Sequence, residues 1–254
     1  MSDVRYFNFP VVLLQDFMTN SSTVLKNILH YAVYAHAKKL TYADEVYRIR
    51  QSIVHYGLRA DLAQTIAVNG KQLYETIPKS SPMCGINRKM FLEFRDNEKK
   101  EFDKICLLGF LAFKSIIGKK AYCKVDNKFW LSRMSGNAKS CETEQLPDSI
   151  KKYSSEYMTK KIKAELSDHW GLKTYSRYTR GFYVSFDMKL DALITAVEMK
   201  RKGLKEKQRR EAEKEIVAKV LEKLHATATP PAATSSIRKI GGISVGQARQ
   251  LLSK

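Results

Sequence analysis

The stretch CLLGFLAFKSIIG, Cys106 to Gly118, limits the folds open to this chain more than any other. It continues a helical segment, EKKEFDKICLLGFLAFKSIIG, whose apolar residues wrap more than one face. A helix of that kind gains nothing at a surface and has to be covered on several sides. The run is too short to span a bilayer, and Lys114 interrupts it. The other elements are therefore expected to pack around it. A chain of 254 residues can bury such a core without disulfides or metals.

The rest reads as mainly helical. VRYFNFPVVLLQDF, broken by Pro10, predicts a short strand or extended arm. NSSTVLKNILHYAVYAHAKKL offers caps and then Val24, Leu25, Ile28, Leu29, Ala32 and Ala35 at helical spacing. YADEVYRIRQSIVHYG predicts a second helix ending at Gly57. NGKQLYETIP reads as a turn signal followed by a short helix, and SSPMCG as a loop. NRKMFLEFRDN predicts a short helix before the apolar one. Beyond Gly118, AYCKV is strand-like and DNKFWLSRMSG a capped short helix; 136–155 is a polar loop with a helical turn.

The formal net charge of +19 is spread over much of the chain rather than held in a tail. A soluble protein this basic ordinarily meets a polyanion, most often nucleic acid. Cys84, Cys106, Cys123 and Cys141 show no CxxC pair and read as reduced thiols of a cytoplasmic protein. MSDVRYFNFP lacks the features of a signal peptide, and no membrane segment is expected.

The charge gains a shape between Tyr157 and Phe186. In MTKKIKAELSDHWG, Met158, Ile162 and Leu166 line one helical face, leaving Thr159, Lys160, Lys163 and Ser167 as a solvated donor face. GLKTYSRYTRGFYVSF then reads as a β-hairpin: Phe182, Val184 and Phe186 share one face, and Gly181 is free to take positive φ. Tyr175, Arg177, Tyr178 and Arg180 surround a cationic, aromatic tip. Lysines on the helix would reach phosphates or guanine edges; the arginines and tyrosines would reach flanking backbone or the minor groove.

The order long apolar helix, short strand, short helix, loop, basic helix, hairpin resembles the winged helix, the helix-turn-helix variant whose wing follows the recognition helix. The resemblance runs from about Glu98 to Phe186. VDNKFWLSRMSG looks like the positioning helix, and MTKKIKAELSDHWGLKTYSRYTRGFYVSF like the recognition helix running into the wing. The resemblance implies a winged-helix-like DNA-binding domain at 83–187 with one β-hairpin, and the helical spacing before it gives a helical N-terminal region at 1–82.

A long, basic, projecting C-terminal helix is expected at 188–225, then a flexible linker and short helix at 226–254, where Ser244 and Gln247 form a capping-box pattern. The helix has an almost wholly polar middle, with Glu206, Glu211, Glu213 and Glu215 interleaved among its cations. Its apolar end, Ile216, Val217, Val220, Leu221 and Leu224, is expected to meet a second copy or another protein.

Catalysis gets little support: there is no HExxH, phosphate-binding loop, GxGxxG or GxSxG stretch, and no cofactor or metal is expected. His30, within an apolar helix, reads as a satisfied core histidine. A nuclease with dispersed carboxylates would leave no local motif. The function expected is duplex-DNA binding without chemistry, as a transcriptional regulator or a replication-initiation factor. The alternative is an RNA-binding or ribonucleoprotein-associated factor, its tyrosines stacking on unpaired bases.

Overall fold

Ile105, Cys106, Leu107, Leu108 and Gly109 are all buried. Five consecutive buried positions exceed one helical turn, so the apolar helix is covered on every side at its middle. The computed structural model describes residues 5–177 and 181–226, with side chains through Glu222. The chain divides into two compact units, Met1–Leu193 and Ile194–Lys254.

The first unit begins with β1 (Tyr6–Pro10), a 3-10 turn at Val11–Leu14, α1 (Ser21–Ala37) and α2 (Glu45–Tyr56). A continuous helical run follows: a 3-10 turn (Ala60–Leu62), α3 (Ala63–Thr65), a π turn (Ile66–Gly70) and α4 (Lys71–Thr76). Next come β2 (Met83–Asn87), α5 (Arg88–Asp96), the central α6 (Glu101–Ile117), β3 (Cys123–Val125) and α7 (Asn127–Met134). A 3-10 turn at Thr143–Gln145, α8 (Asp148–Lys151), α9 (Glu156–His169), β4 (Lys173–Tyr175) and β5 (Phe182–Ser185) complete it. The chain is mainly helical, with small sheets and one long C-terminal helix, α10 (Leu190–Ala226).

The helix starts follow from their caps. Asp44 accepts from the amides of Val46 and Tyr47, Asp126 from Phe129, and Ser155 from Met158. Each satisfies amides that a helix start leaves without partners. Around α6 the packing is close. Trp130 of α7 stacks on Phe113 with ring centroids 4.5 Å apart, and Ile162 and Leu166 of α9 are fully buried.

The second sheet has the order β3-β5-β4, antiparallel throughout. Val125 pairs with Phe182, Cys123 and Thr174 both stand opposite Val184, and Tyr175 stands opposite Tyr183. Phe182 and Val184 are buried on the face that packs toward α6; Phe182 meets Phe113 edge-on at 6.1 Å. Ser185, on the alternate register, is also buried and donates to the Ala121 carbonyl at 2.7 Å.

Three readings of the sequence need correction. The stretch Met83–Asn87 is a strand, not a loop: it pairs antiparallel with β1, Phe9 opposite Cys84. The fold thus holds a second small ladder beyond the one hairpin expected. That ladder also joins residues on both sides of the boundary drawn at 82, and Cys84 Sγ donates to the Leu111 carbonyl of α6 at 3.2 Å. One core runs through both halves.

Asn69 and Gly70 form no turn; they lie within the helical run. A Cβ on Gly70 would sit 2.7 Å from the His30 carbonyl, so glycine serves close packing on α1. His30 is a core residue, but its Nδ1 has no hydrogen-bond partner among the described residues.

In the second unit α10 carries its own exposed ion pairs one turn apart: Lys207–Glu211, Arg209–Glu213 and Lys219–Glu215. These solvate a polar helix, as the interleaved charges lead one to expect. Residues 227–254, with the expected linker and terminal helix, lie outside the described residues. Among the described residues no helix is long and apolar enough to cross a membrane.

Candidate functional site

Helix α9 and the β4–β5 ribbon face each other across a groove of about 940 Å³. Lys160, Lys163, Ala164 and Ser167 line one wall, Thr174, Ser176, Gly181 and Phe182 the other, and Asp126 and Asn127 at the start of α7 close one end. The geometry follows from α9's burial. Ile162 and Leu166 are anchored on α6, which turns the next face of the helix toward the ribbon.

The groove brings Lys163 and Ser167 together with Lys160. Lys163 is half-buried. Its Nζ donates to Asn127 Oδ1 at 3.2 Å and lies 4.4 Å from the centre of the Phe182 ring. Burial, and next the neighbouring Lys160, draw its pKa below the ordinary lysine value, while Glu156 opposes them. Lys160 is exposed and pairs with Glu156 at 2.7 Å, one turn away.

Two residues expected to offer donors are less accessible: Thr159, although it lines the groove, and Tyr175 of the ribbon. Thr159 is fully buried, and its hydroxyl donates to the carbonyls of Ser155 and Glu156. Positions 159, 162 and 166 stand three and four apart, so Thr159 continues the core stripe. Its hydroxyl is spent on its own helix. Tyr175 alternates with Thr174 and Ser176, which line the groove, so its side chain belongs to the opposite face of the ribbon.

Arg177 is exposed at the end of the ribbon. Tyr178 and Arg180 lie outside the described residues. Gly181 has φ +86°, and a Cβ there would sit 2.7 Å from the Val125 carbonyl, so both conformation and space call for glycine. Ser176 Oγ donates to the Gly181 carbonyl at 3.4 Å, across the base of the tip.

Sequence reasoning missed Asn127, Ser154, Thr174, Ser176 and Phe182 as groove residues. Strand alternation after Gly171 carried a signal for Thr174 and Ser176. Asn127 had none, since only tertiary packing brings the start of α7 beside Lys163. The segment between α7 and α9 is no open loop: Leu146, Ile150 and Tyr153 are buried in the core. It holds α9 at its distance from α7.

Of the apolar cluster in α10, Ile216 is exposed, Val220 and Leu221 are half-buried, and Val217 is buried within the chain. The Leu224 side chain lies outside the described residues.

Neither a protein-family model, nor a curated protein, nor a solved structure matches this chain.

Proposed function

We propose that the first unit binds duplex DNA through a winged-helix-type surface and performs no chemistry on it. One observation supports the reading. In the order α6, β3, α7, α9, β4, β5, with the sheet order β3-β5-β4, a lysine-bearing helix and the β4–β5 ribbon line two sides of a single groove, and exposed Arg177 follows β4.

The arrangement suits a duplex for steric reasons. A helix in the major groove and a ribbon beside the adjacent minor groove must have one sugar–phosphate strand pass between them. A groove of about 940 Å³ lined by Ser167, Thr174 and Lys160 offers donors to that strand. The net charge of +19 would speed the encounter and favour any polyanion; the groove would supply register. Site-specific duplex binding is all that a transcriptional regulator or a replication-initiation factor needs from this unit.

The test is a competition measured by fluorescence anisotropy. Labelled duplex DNA bound to the full chain is challenged with unlabelled duplex, single-stranded DNA and structured RNA over a salt series. Duplex DNA is expected to compete best at physiological salt. Stronger competition by structured RNA would replace the reading with an RNA-binding one.

A further inference from the structure

Side chains of three elements meet at one end of the groove: Lys163 from α9, Asn127 from α7 and Phe182 from β5. A lysine that only neutralises phosphate needs no such support, because a point charge works from many rotamers. Here the ammonium is held by a ring face and an amide oxygen, which removes much of the rotamer freedom it would otherwise lose on binding.

The amide orientation follows from chemistry. Lysine has donors and no acceptor, so Asn127 must turn its oxygen to Lys163 and its nitrogen away. That nitrogen has no protein partner among the described residues and is not sealed from solvent. The ammonium has two further N–H groups. Apart from the second lone pair of Asn127 Oδ1, the pair turns N–H donors to the groove, which suits an edge carrying two acceptors.

Two classes of acceptor meet that description on duplex DNA: a phosphate, and the O6 and N7 edge of guanine. Charge separates them. Asp126 adjoins Asn127 in the chain and also lines the groove, so a carboxylate stands close to the Lys163–Asn127 pair. Asp126 is occupied as the cap of α7 and Glu156 pairs with Lys160, but both remain anions near the site. A neutral base edge is favoured over an anion there.

We infer that Lys163 and Asn127 read a guanine in the major groove as a preorganised pair, with Phe182 as the positioning residue, while Lys160 and Arg177 contact backbone. This rests on the duplex-binding reading above. Adenine and cytosine each present an amino donor in the major groove, and thymine lacks the second acceptor.

The experiment begins with selection from a randomised duplex pool by the full wild-type chain. A guanine at one position is expected. The selected duplex is then remade with 7-deazaguanine there, which removes N7 and keeps the base pair. Wild type should lose about tenfold in affinity, a typical share for a good two-point base contact.

Lys163→Met, which keeps an apolar stem on Phe182, should bind both duplexes equally and select no guanine. Lys160→Ala should keep the full penalty. Asn127→Ala should show a reduced penalty and serves as the deciding variant if Lys163→Met fails to fold. A wild type that selects a site but binds the 7-deaza duplex unchanged overturns the inference alone. So does a guanine preference that survives in Lys163→Met, or in Asn127→Ala when that variant decides. A wild type that binds no duplex overturns the duplex reading and this inference together.

Discussion

The indole of Trp130 occupies the space that a side chain at Gly109 would need, and its Nε1 donates to the Gly109 carbonyl at 3.0 Å. A helix carbonyl already accepts from its own ladder, so this is a second bond to one oxygen with two lone pairs. The contact fixes α7 against α6, and Ile162 and Leu166 of α9 reach the same point. The spacing of the candidate DNA-binding helices thus depends on the absence of one methyl group.

Gly109→Ala should therefore destabilise the fold although alanine is the better helix former. Its Cβ would lie 2.9 Å from Trp130 Cζ2 and 3.3 Å from Ile162 Cγ2. Overpacking of that kind typically costs about 1–3 kcal/mol, against a propensity gain of about 1 kcal/mol. Urea unfolding followed by tryptophan fluorescence measures the balance. A more stable variant would mean that α7 and α9 move apart freely and that their spacing is not enforced here.

A second prediction concerns acid. His30 is buried with Nδ1 unpartnered, and burial, helped by Lys26, lowers its pKa from 6.5 to about 4. The unfolded chain takes up this proton between pH 6.5 and about 4 while the folded chain does not. Stability from this group is therefore complete above pH 6.5 and declines as pH falls toward 4, by on the order of 2–3 kcal/mol. His30→Leu should flatten the dependence of the urea midpoint over that interval. An unchanged profile would assign the acid sensitivity to other groups.

A third prediction separates charge from structure. Lys160 is exposed and its pairing with Glu156 is a surface contact, so Lys160→Ala should leave the melting temperature unchanged. It should nonetheless lower the steepness of the log affinity against log salt plot by about 0.9, one phosphate contact. Arg177→Ala should act alike if the ribbon touches backbone. An unchanged slope in both would remove α9 and the ribbon from the interface.

Much of this was legible in the residues, for physical reasons that differ by element. Asp44, Asp126 and Ser155 announce helix starts because capping is a local bond. The ribbon was legible because Phe182, Val184 and Gly181 satisfy alternation and a positive φ within a few residues. Strand β2 was not, because Met83–Asn87 gains its partners from β1, across four helices. Thr159 misled because a threonine at the edge of a stripe can bury its methyl and bond its own helix. The lysine–amide contact at Asn127 depends on a chain separation that no local pattern encodes.

The last prediction tests how the ribbon is held. Gly181 has φ +86° and approaches Val125 so closely that a Cβ would lie 2.7 Å from its carbonyl. Gly181→Ala meets strain from both sources, with an expected cost of about 1–3 kcal/mol. Relief requires β5 to shift from β3, and Phe182 begins β5 and carries the ring beneath Lys163. The substitution should therefore weaken duplex binding by more than its loss of stability explains, while α6, α7 and α9 stay packed. Anisotropy titration at a temperature well below the melting transition isolates that effect. A variant that is destabilised but binds like wild type would show that the ribbon's seat on β3 does not govern the groove.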